Sequence, residues 1–437
     1  MNYLTYKNHF QFGYNKEYFN NRKSPNDIWN VKYGRCESQP LNFREECIRA
    51  VKLIRKSTEK DIYVLLSGGV DSEIVARSFI EANIPITCLI GRFNDDMNKH
   101  DISYAFDFCN HYNQSYMVID INIYDFWKKD LYKYASISKC ISPQLLLPMW
   151  LSDQVDGYTI IGAGECYMIQ NSDCEFELWE KEKIASWYRH FIINNKEGCP
   201  GFFQYTPELI LSFITDDIIN NIEDKHEGCS TYYEKNKIYH HYWEDLKKRP
   251  IYTGFEKFKE LDYNLYRPYL ENRFGENNGV HKTHINNLID ILSPIECSRC
   301  TPQLIMQYHN LYEEEGMTLK RNPYSAEVKF TYYYAAVINQ HLAGFTCMDF
   351  LSDDTVYVHG AYTFPKFRGQ GINRSLWNFK MKDLESTPNM LIRAINPDWL
   401  PDASFQKEML ERKGFVHTSN RPDGAPVLTV KYKELKE

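Results

Sequence analysis

The sequence predicts an α/β protein of two domains: a parallel sheet covered by helices, followed by a smaller α+β domain. Three observations predict it. Short, continuous apolar runs alternate with helix-periodic segments from residue 43 to residue 161, the pattern of strands buried on both faces. Glycine turns close two of those runs, at Ser67–Ser72 and at Gly162–Glu165. Beyond residue 283, two long strand-like runs joined by a tight turn precede a third run, which ends in Arg368-Gly369-Gln370-Gly371.

Taken in order, the first 40 residues are aromatic and polar without a clear period and read as an irregular cap. Phe43, Cys47, Ala50, Val51 and Ile54 recur at helical spacing. After a polar break at Lys56–Lys60, Ile62–Leu66 is a short buried strand, and Ser72–Ala82 is helical. Pro85–Ile90 is a second strand, His100–Tyr112 a helix and Ser115–Ile121 a third strand. Pro143–Val155 is helix-like, and Tyr158–Ile161 is a fourth strand. Glu175–Asn278 reads as mostly helical, completing the first domain, with a polar loop and boundary over 271–279. The domains are therefore expected to span 1–282 and 283–437. In the second, Phe330–Ile338 and His341–Phe350 are strands joined at Asn339-Gln340, and Val356–Phe364 follows.

The chain has 437 residues, room for two or three domains at about 150 residues each. Hydrophobic residues make up 43% and charged residues 25%, which excludes wholesale disorder and collagen-like repeats. A net charge of −7 argues against sequence-blind nucleic-acid binding. The N-terminus has no apolar core of a secretory signal, and no run approaches 18 apolar residues, so no membrane segment is expected. The 12 scattered cysteines then read as reduced thiols of a cytoplasmic protein. Cys297-Ser298-Arg299-Cys300 is a lone CxxC with no second half to complete a zinc site.

Ser67-Gly68-Gly69-Val70-Asp71-Ser72 joins a strand to a helix. Two glycines let the backbone turn sharply, and successive N–H groups with the helix N-terminus form an anion cradle. Ser67 and Ser72 add hydroxyl donors, and Asp71 suits a magnesium ion bridging phosphates. The lysine of the common nucleotide-binding loop is missing. The segment resembles the PP-loop of the N-type ATP pyrophosphatases, asparagine synthetase above all, over roughly residues 40–170. The resemblance implies ATP cleavage to AMP and pyrophosphate, with the AMP activating a carboxylate or carbonyl for attack by a nitrogen nucleophile. It also implies that Ile86–Phe93 lies along the adenine. Gly162-Ala163-Gly164-Glu165 matches part of the family's GxGxDE turn, which makes Glu165 the second magnesium or pyrophosphate ligand beside Asp71. Lys139, Lys257 and Lys259 are candidates to neutralise pyrophosphate. Position 2 is Asn, not the nucleophilic cysteine of a glutaminase, so free ammonia or an amine is the expected nitrogen donor.

The second turn, Arg368-Gly369-Gln370-Gly371-Ile372-Asn373, again runs into a helix, with positive charge at its start. It resembles the [QR]xxGx[GA] loop by which GNAT N-acyltransferases hold the pyrophosphate of coenzyme A, with Asn373 in place of the last small residue. Leu391–Asn396 resembles that family's fifth strand, and Met409–Phe415 its YExxGF segment. The resemblance implies that the backbone near Tyr362 and Thr363 holds the pantetheine and thioester of acetyl-CoA or another acyl-CoA. The usual tyrosine acid is replaced by Leu410, leaving Tyr357, another tyrosine or water to protonate the thiolate. His359 is a candidate base.

Together these imply a bifunctional enzyme acting on a small molecule, with ATP, Mg²⁺ and acetyl-CoA as cofactors. Modification of a nucleobase in tRNA or DNA is an alternative, disfavoured by the absence of any basic run of five or six residues. A nucleotide or acyl-CoA sensor with an inactive acyltransferase domain is another.

Overall fold

The computed structural model describes residues 4–24, 26–173, 175–220, 230–249, 255, 258, 262–274, 279–306, 327–395, 408, 410–420 and 426–435. Near the N-terminus, β1 (Gln11–Tyr14), β2 (Glu17–Tyr18) and β3 (Trp29–Lys32) form an antiparallel sheet in the order β2-β1-β3. This replaces the irregular cap expected there. Phe12, Gly13 and Tyr14 are buried in succession, so the strand lacks the alternation that marks a half-exposed one.

α1 (Phe43–Ser57) opens on Asn42, whose side-chain oxygen accepts the Glu45 N–H at 3.0 Å. Its buried face is the expected stripe, Phe43, Cys47, Ala50, Val51 and Ile54, joined by Glu46. The central sheet follows with β4 (Ile62–Leu65), β5 (Thr87–Phe93), β6 (Tyr116–Ile121) and β7 (Tyr158–Ile161). α2 (Val70–Glu81) and α3 (Lys99–His111) make the crossovers from β4 to β5 and from β5 to β6. β8 (Met168–Gln170) and β9 (Phe176–Lys181) lie outside this sheet, and β10 (Gly198–Cys199) rejoins it. All its pairings are parallel, in the order β10-β7-β4-β5-β6.

The chain thus steps outward from β4 to β6, then returns to the other flank of β4. The order reverses between β4 and β7, the place where open α/β sheets form a ligand crevice at the carboxyl ends of their strands. Leu65 is level with Ile161, so the two glycine turns leave adjacent strand ends.

The stretch expected to be helical from Glu175 is mixed. β9 pairs antiparallel with β8 and with β11 (Val280–His284), while Ala185–Ile193, Pro207–Ile214 and Thr231–Tyr242 are helices. Leu178 and Glu180 alternate inward on β9, and the buried carboxylate hides the strand pattern in the sequence. The chain divides into two compact units, Met1–Ser293 and Pro294–Glu437, where the sequence suggested 282/283. β11 and the helix Ile285–Leu292 stay with the first unit because β11 is the outer partner of β9 and Leu288 and Leu292 are buried in that unit's core.

The second unit is built on β12 (Glu296–Cys300), β13 (Phe330–Ile338), β14 (His341–Phe350), β15 (Thr355–Thr363), β16 (Leu391–Ile395), β17 (Val416–Asn420) and β18 (Pro426–Lys431). Their order is β12-β13-β14-β15-β16-β18-β17. Asn339 and Gln340 both take left-handed backbone angles in the β13–β14 hairpin, as a tight two-residue turn requires. The helix Ile372–Lys382 buries Ile372, Leu376, Lys380 and Met381. Cys297 packs toward the larger core cluster and Cys300 toward the smaller, because residues three apart in a strand face opposite ways. The CxxC pair therefore cannot grip one ion. No helix among the described residues is long and apolar enough to cross a membrane.

Candidate functional site

The first turn is held from within. Gly68 takes a φ of +98°, and a Cβ there would lie 2.2 Å from the Asp101 carbonyl oxygen, so only glycine fits. The Ser72 hydroxyl donates to the Gly69 carbonyl at 2.9 Å and accepts the Ser67 N–H at 3.2 Å. The Gly69 N–H in turn donates to the Ser67 hydroxyl at 3.2 Å. Arg249 braces the turn by donating to the Gly68 carbonyl and pairing with Glu73. α2 starts at Val70 without a side-chain cap on its first N–H groups, as an anion cradle needs.

The Gly162–Glu165 turn lies against the Ser67–Ser72 turn. A Cβ on Gly162 would sit 2.9 Å from the Ser72 Cα, so this glycine permits the approach. Gly164 has a φ of +84° and rests on the Gln204 side chain. Asp71 and Glu165, on the two turns, converge on one residue. Lys235 Nζ donates to Asp71 at 2.8 and 3.0 Å and to Glu165 at 3.2 Å. Tyr239, one helical turn on, donates its hydroxyl to Asp71 at 2.8 Å. Burial raises the Glu165 carboxyl above the ordinary range, with the Lys235 ammonium opposing that rise. Burial alone would lower Lys235, but the two carboxylates hold it above the usual lysine range.

Lys235 and Tyr239 were not among the expected site residues, because their charged, tyrosine-rich stretch reads only as a helical completion of the first domain. The signal was their four-residue spacing, which puts both on one face. Of the three lysines suggested for pyrophosphate, Lys139 sits in a left-handed position ending the helix Leu131–Ser138, and Lys257 and Lys259 lie outside the described residues. The donor set fits the groups that the resemblance implies. Asp71 and Glu165 offer carboxylate oxygens suited to Mg²⁺, and the cradle and Lys235 suit phosphate.

A buried layer supports the Gly162–Glu165 turn. Gln204 donates to both Glu180 oxygens at 2.9 and 3.0 Å, and Tyr33 donates to Glu180 at 2.7 Å. Burial pushes the Glu180 carboxyl from 4.5 up to about 7, with the Tyr33 and Gln204 hydrogen bonds opposing. Folding therefore binds this proton more tightly than the unfolded chain does. The associated stability is fully present below pH 4.5 and is lost as pH rises toward 7. Glu180→Gln should remove that slope, so wild type loses about 3 kcal/mol relative to the variant across this window. Urea midpoints of both proteins measured against pH will check it.

In the second unit, β15 runs antiparallel beside β14 along its length, and among the described residues it pairs with β16 only over Thr355–Tyr357. Beyond Tyr357 the two parallel strands part. There the register against β14 shifts, with Phe345 opposite Tyr362 but Cys347 opposite His359, so Gly360 and Ala361 form a bulge. Gly360 takes a φ of +63°. His359 Nε2 lies 2.9 Å from Asp349 Oδ2, and the Tyr357 and His359 rings stack 5.0 Å apart. Asp349 is 3% exposed, and its other oxygen accepts from the Thr331 hydroxyl at 2.5 Å. Asp349 and Thr331 were not among the expected site residues, because an acid inside an apolar strand reads as a surface break.

The Tyr362 side chain is buried against Phe345 and Phe364. Arg368 Nε donates to the Thr363 carbonyl at 3.2 Å, tying the Arg368–Gly371 turn to the end of β15. Gly369 and Gly371 have φ of +77° and +84°, and nothing lies within 4 Å of where a Cβ would stand. Gln370 donates to the Lys366 carbonyl at 3.1 Å, Ile372 anchors the following helix in the core, and Asn373 is exposed. That helix also starts without a side-chain cap. Near its other end Lys380 is buried, and burial lowers its ammonium to about 8, with Cys347 opposing. Leu410 is buried in the same unit's core and has no proton to give.

Residues 299–390 match the acetyltransferase (GNAT) family model, and the second unit carries this domain. Among solved structures, the ribosomal-protein-S18-alanine N-acetyltransferase of Escherichia coli is 13% identical, covering 32% of this chain and 94% of its own, with a TM-score of 0.26. Naa50 of Arabidopsis thaliana, in complex with the bisubstrate analogue CoA-Ac-MVNAL, is 18% identical over 31% and 98%, with a TM-score of 0.25. The PaiA N-acetyltransferase of Thermoplasma acidophilum, in complex with coenzyme A, is 14% identical over 30% and 80%, with a TM-score of 0.22. No curated protein matches the chain.

Proposed function

We propose that this chain is a two-unit enzyme acting on a small molecule in the cytoplasm. The second unit transfers an acyl group from acetyl-CoA, or another acyl-CoA, to an amine. The first adenylates a carboxylate or carbonyl with ATP, releasing pyrophosphate, so that ammonia or an amine can displace the AMP. A shared metabolite would give the fusion its advantage, because a tether raises effective concentration.

For acyl transfer, the support is the family match over 299–390 together with the parted strands and the uncapped helix after Gly371. The helix N-terminus and Arg368 suit the pyrophosphate of coenzyme A. His359, oriented by Asp349, takes the amine proton as the new N–C bond forms. The C–S bond breaks and the thiolate leaves, with Tyr357 the hydroxyl beside His359 that can protonate it. Asp349→Asn should lower kcat about 100-fold while leaving acetyl-CoA affinity unchanged. Thiol release from acetyl-CoA with a panel of amines, read beside calorimetric binding, will check it.

For adenylation, one observation carries the reading. At the strand-order reversal, carboxylates from both glycine turns meet on Lys235 beside an uncapped helix N-terminus. Asp71 and Glu165 would hold Mg²⁺, which supplies charge neutralisation between phosphates. Ser67, Gly69, Val70 and Ser72 line the cradle, and Lys235 offers its ammonium to the departing pyrophosphate. ATP–pyrophosphate exchange that depends on a candidate acid tests it. Salt-sensitive retention of tRNA in place of such exchange would favour the nucleobase reading.

A further inference from the structure

Lys380 is 3% exposed, on the helix that begins at the anion turn Arg368–Gly371. Burying an ammonium is costly unless it is put to use. Its Nζ donates to the Thr346 hydroxyl at 3.0 Å and lies 5.1 Å from the Trp377 ring centre. Thr346 passes the interaction on. It accepts from Lys380 and donates its single hydroxyl proton to the His359 carbonyl at 3.1 Å.

That carbonyl belongs to the first peptide of the bulge on β15. No peptide bond in the described chain is cis. In a trans peptide the C=O and the following N–H point in opposite directions. Fixing the His359 carbonyl toward Thr346 therefore turns the Gly360 N–H away from Thr346, toward the flank that β16 has left. That flank is where the acyl thioester would lie. A charged donor at the head of a hydrogen-bonded chain also polarises each later member, so the far N–H becomes a stronger donor.

We infer that Lys380 is a positioning residue for acyl transfer: through Thr346 it locks and polarises the His359–Gly360 peptide, whose N–H donates to the thioester carbonyl oxygen. This rests on the acyl-transfer reading of the second unit. The oxygen gathers negative charge as the amine nitrogen bonds to the carbonyl carbon, and gives it up when the C–S bond breaks. A donor set in place beforehand stabilises that charge.

The test uses full-length protein with [1-¹³C]acetyl-CoA as probe and needs no knowledge of the amine. In wild type the bound carbonyl resonance should lie downfield of free acetyl-CoA. Lys380→Met and Thr346→Val should each move it most of the way back, and Thr346→Ser should hold it. Affinity for coenzyme A itself should be unchanged in all three, while acetyl-CoA hydrolysis falls about tenfold in the first two only. A Lys380→Met protein with wild-type resonance and hydrolysis overturns the inference. If Lys380→Met does not fold, the Thr346→Val and Thr346→Ser pair decides, and equal resonances in that pair overturn it. A wild type that binds coenzyme A but leaves the carbonyl resonance unshifted also overturns it. A wild type that binds neither coenzyme A nor acetyl-CoA overturns the acyl-transfer reading itself.

Discussion

Asp71→Asn is expected to abolish ATP–pyrophosphate exchange, by at least about 100-fold, while acetyl-CoA affinity stays at its wild-type value. Asp71 sits in the first turn of α2 and is held by Lys235 and Tyr239. The amide keeps the shape, and its one carbonyl oxygen can still accept from Tyr239 and Lys235 at the Oδ1 position, but it loses the second Lys235 hydrogen bond and removes one of two carboxylates suited to a divalent cation. A deletion to alanine would be harder to read, because beyond the charge it also removes every acceptor that Lys235 and Tyr239 meet there and so destabilises the fold further. Exchange assays and calorimetry on the same preparation will check both halves. Loss of both activities together would contradict two independent sites.

Gly371→Glu is expected to weaken coenzyme A binding on the order of 100-fold. Two effects add. The residue must adopt a φ of +84°, which costs a non-glycine residue about 1–2 kcal/mol. Its carboxylate would also stand at a helix N-terminus shaped for an anion. Gly371→Ala separates the two, because nothing within 4 Å obstructs a Cβ there. The alanine variant should lose only the conformational part, about tenfold. Titration of coenzyme A into both variants will show whether charge or backbone strain dominates.

The alternation of β4, β5, β6 and β7 with helices was legible because each strand is an apolar run buried on both faces. The two glycine turns were legible because positive φ and close approach leave glycine as the residue that fits. The remainder was hidden for a common reason: charge in a sequence reads as surface. Glu180 inside β9, Lys235 on a polar helix, Asp349 in an apolar strand and Lys380 in an amphipathic helix are all buried. Each is kept there by a partner from another element, such as the Asp71–Lys235 pair bridging two parts of the first unit. No local window contains both members of such a pair. The N-terminal sheet was missed differently, because short strands buried in succession carry no period of two.

The most direct test of the account is the fate of the α-phosphate. ATP labelled at that position, incubated with Mg²⁺, the protein and a panel of carboxylic acids and amines, should yield labelled AMP with an equal amount of pyrophosphate. Asp71→Asn should yield none. Labelled ADP with inorganic phosphate, or AMP formation that survives Asp71→Asn undiminished, would contradict it.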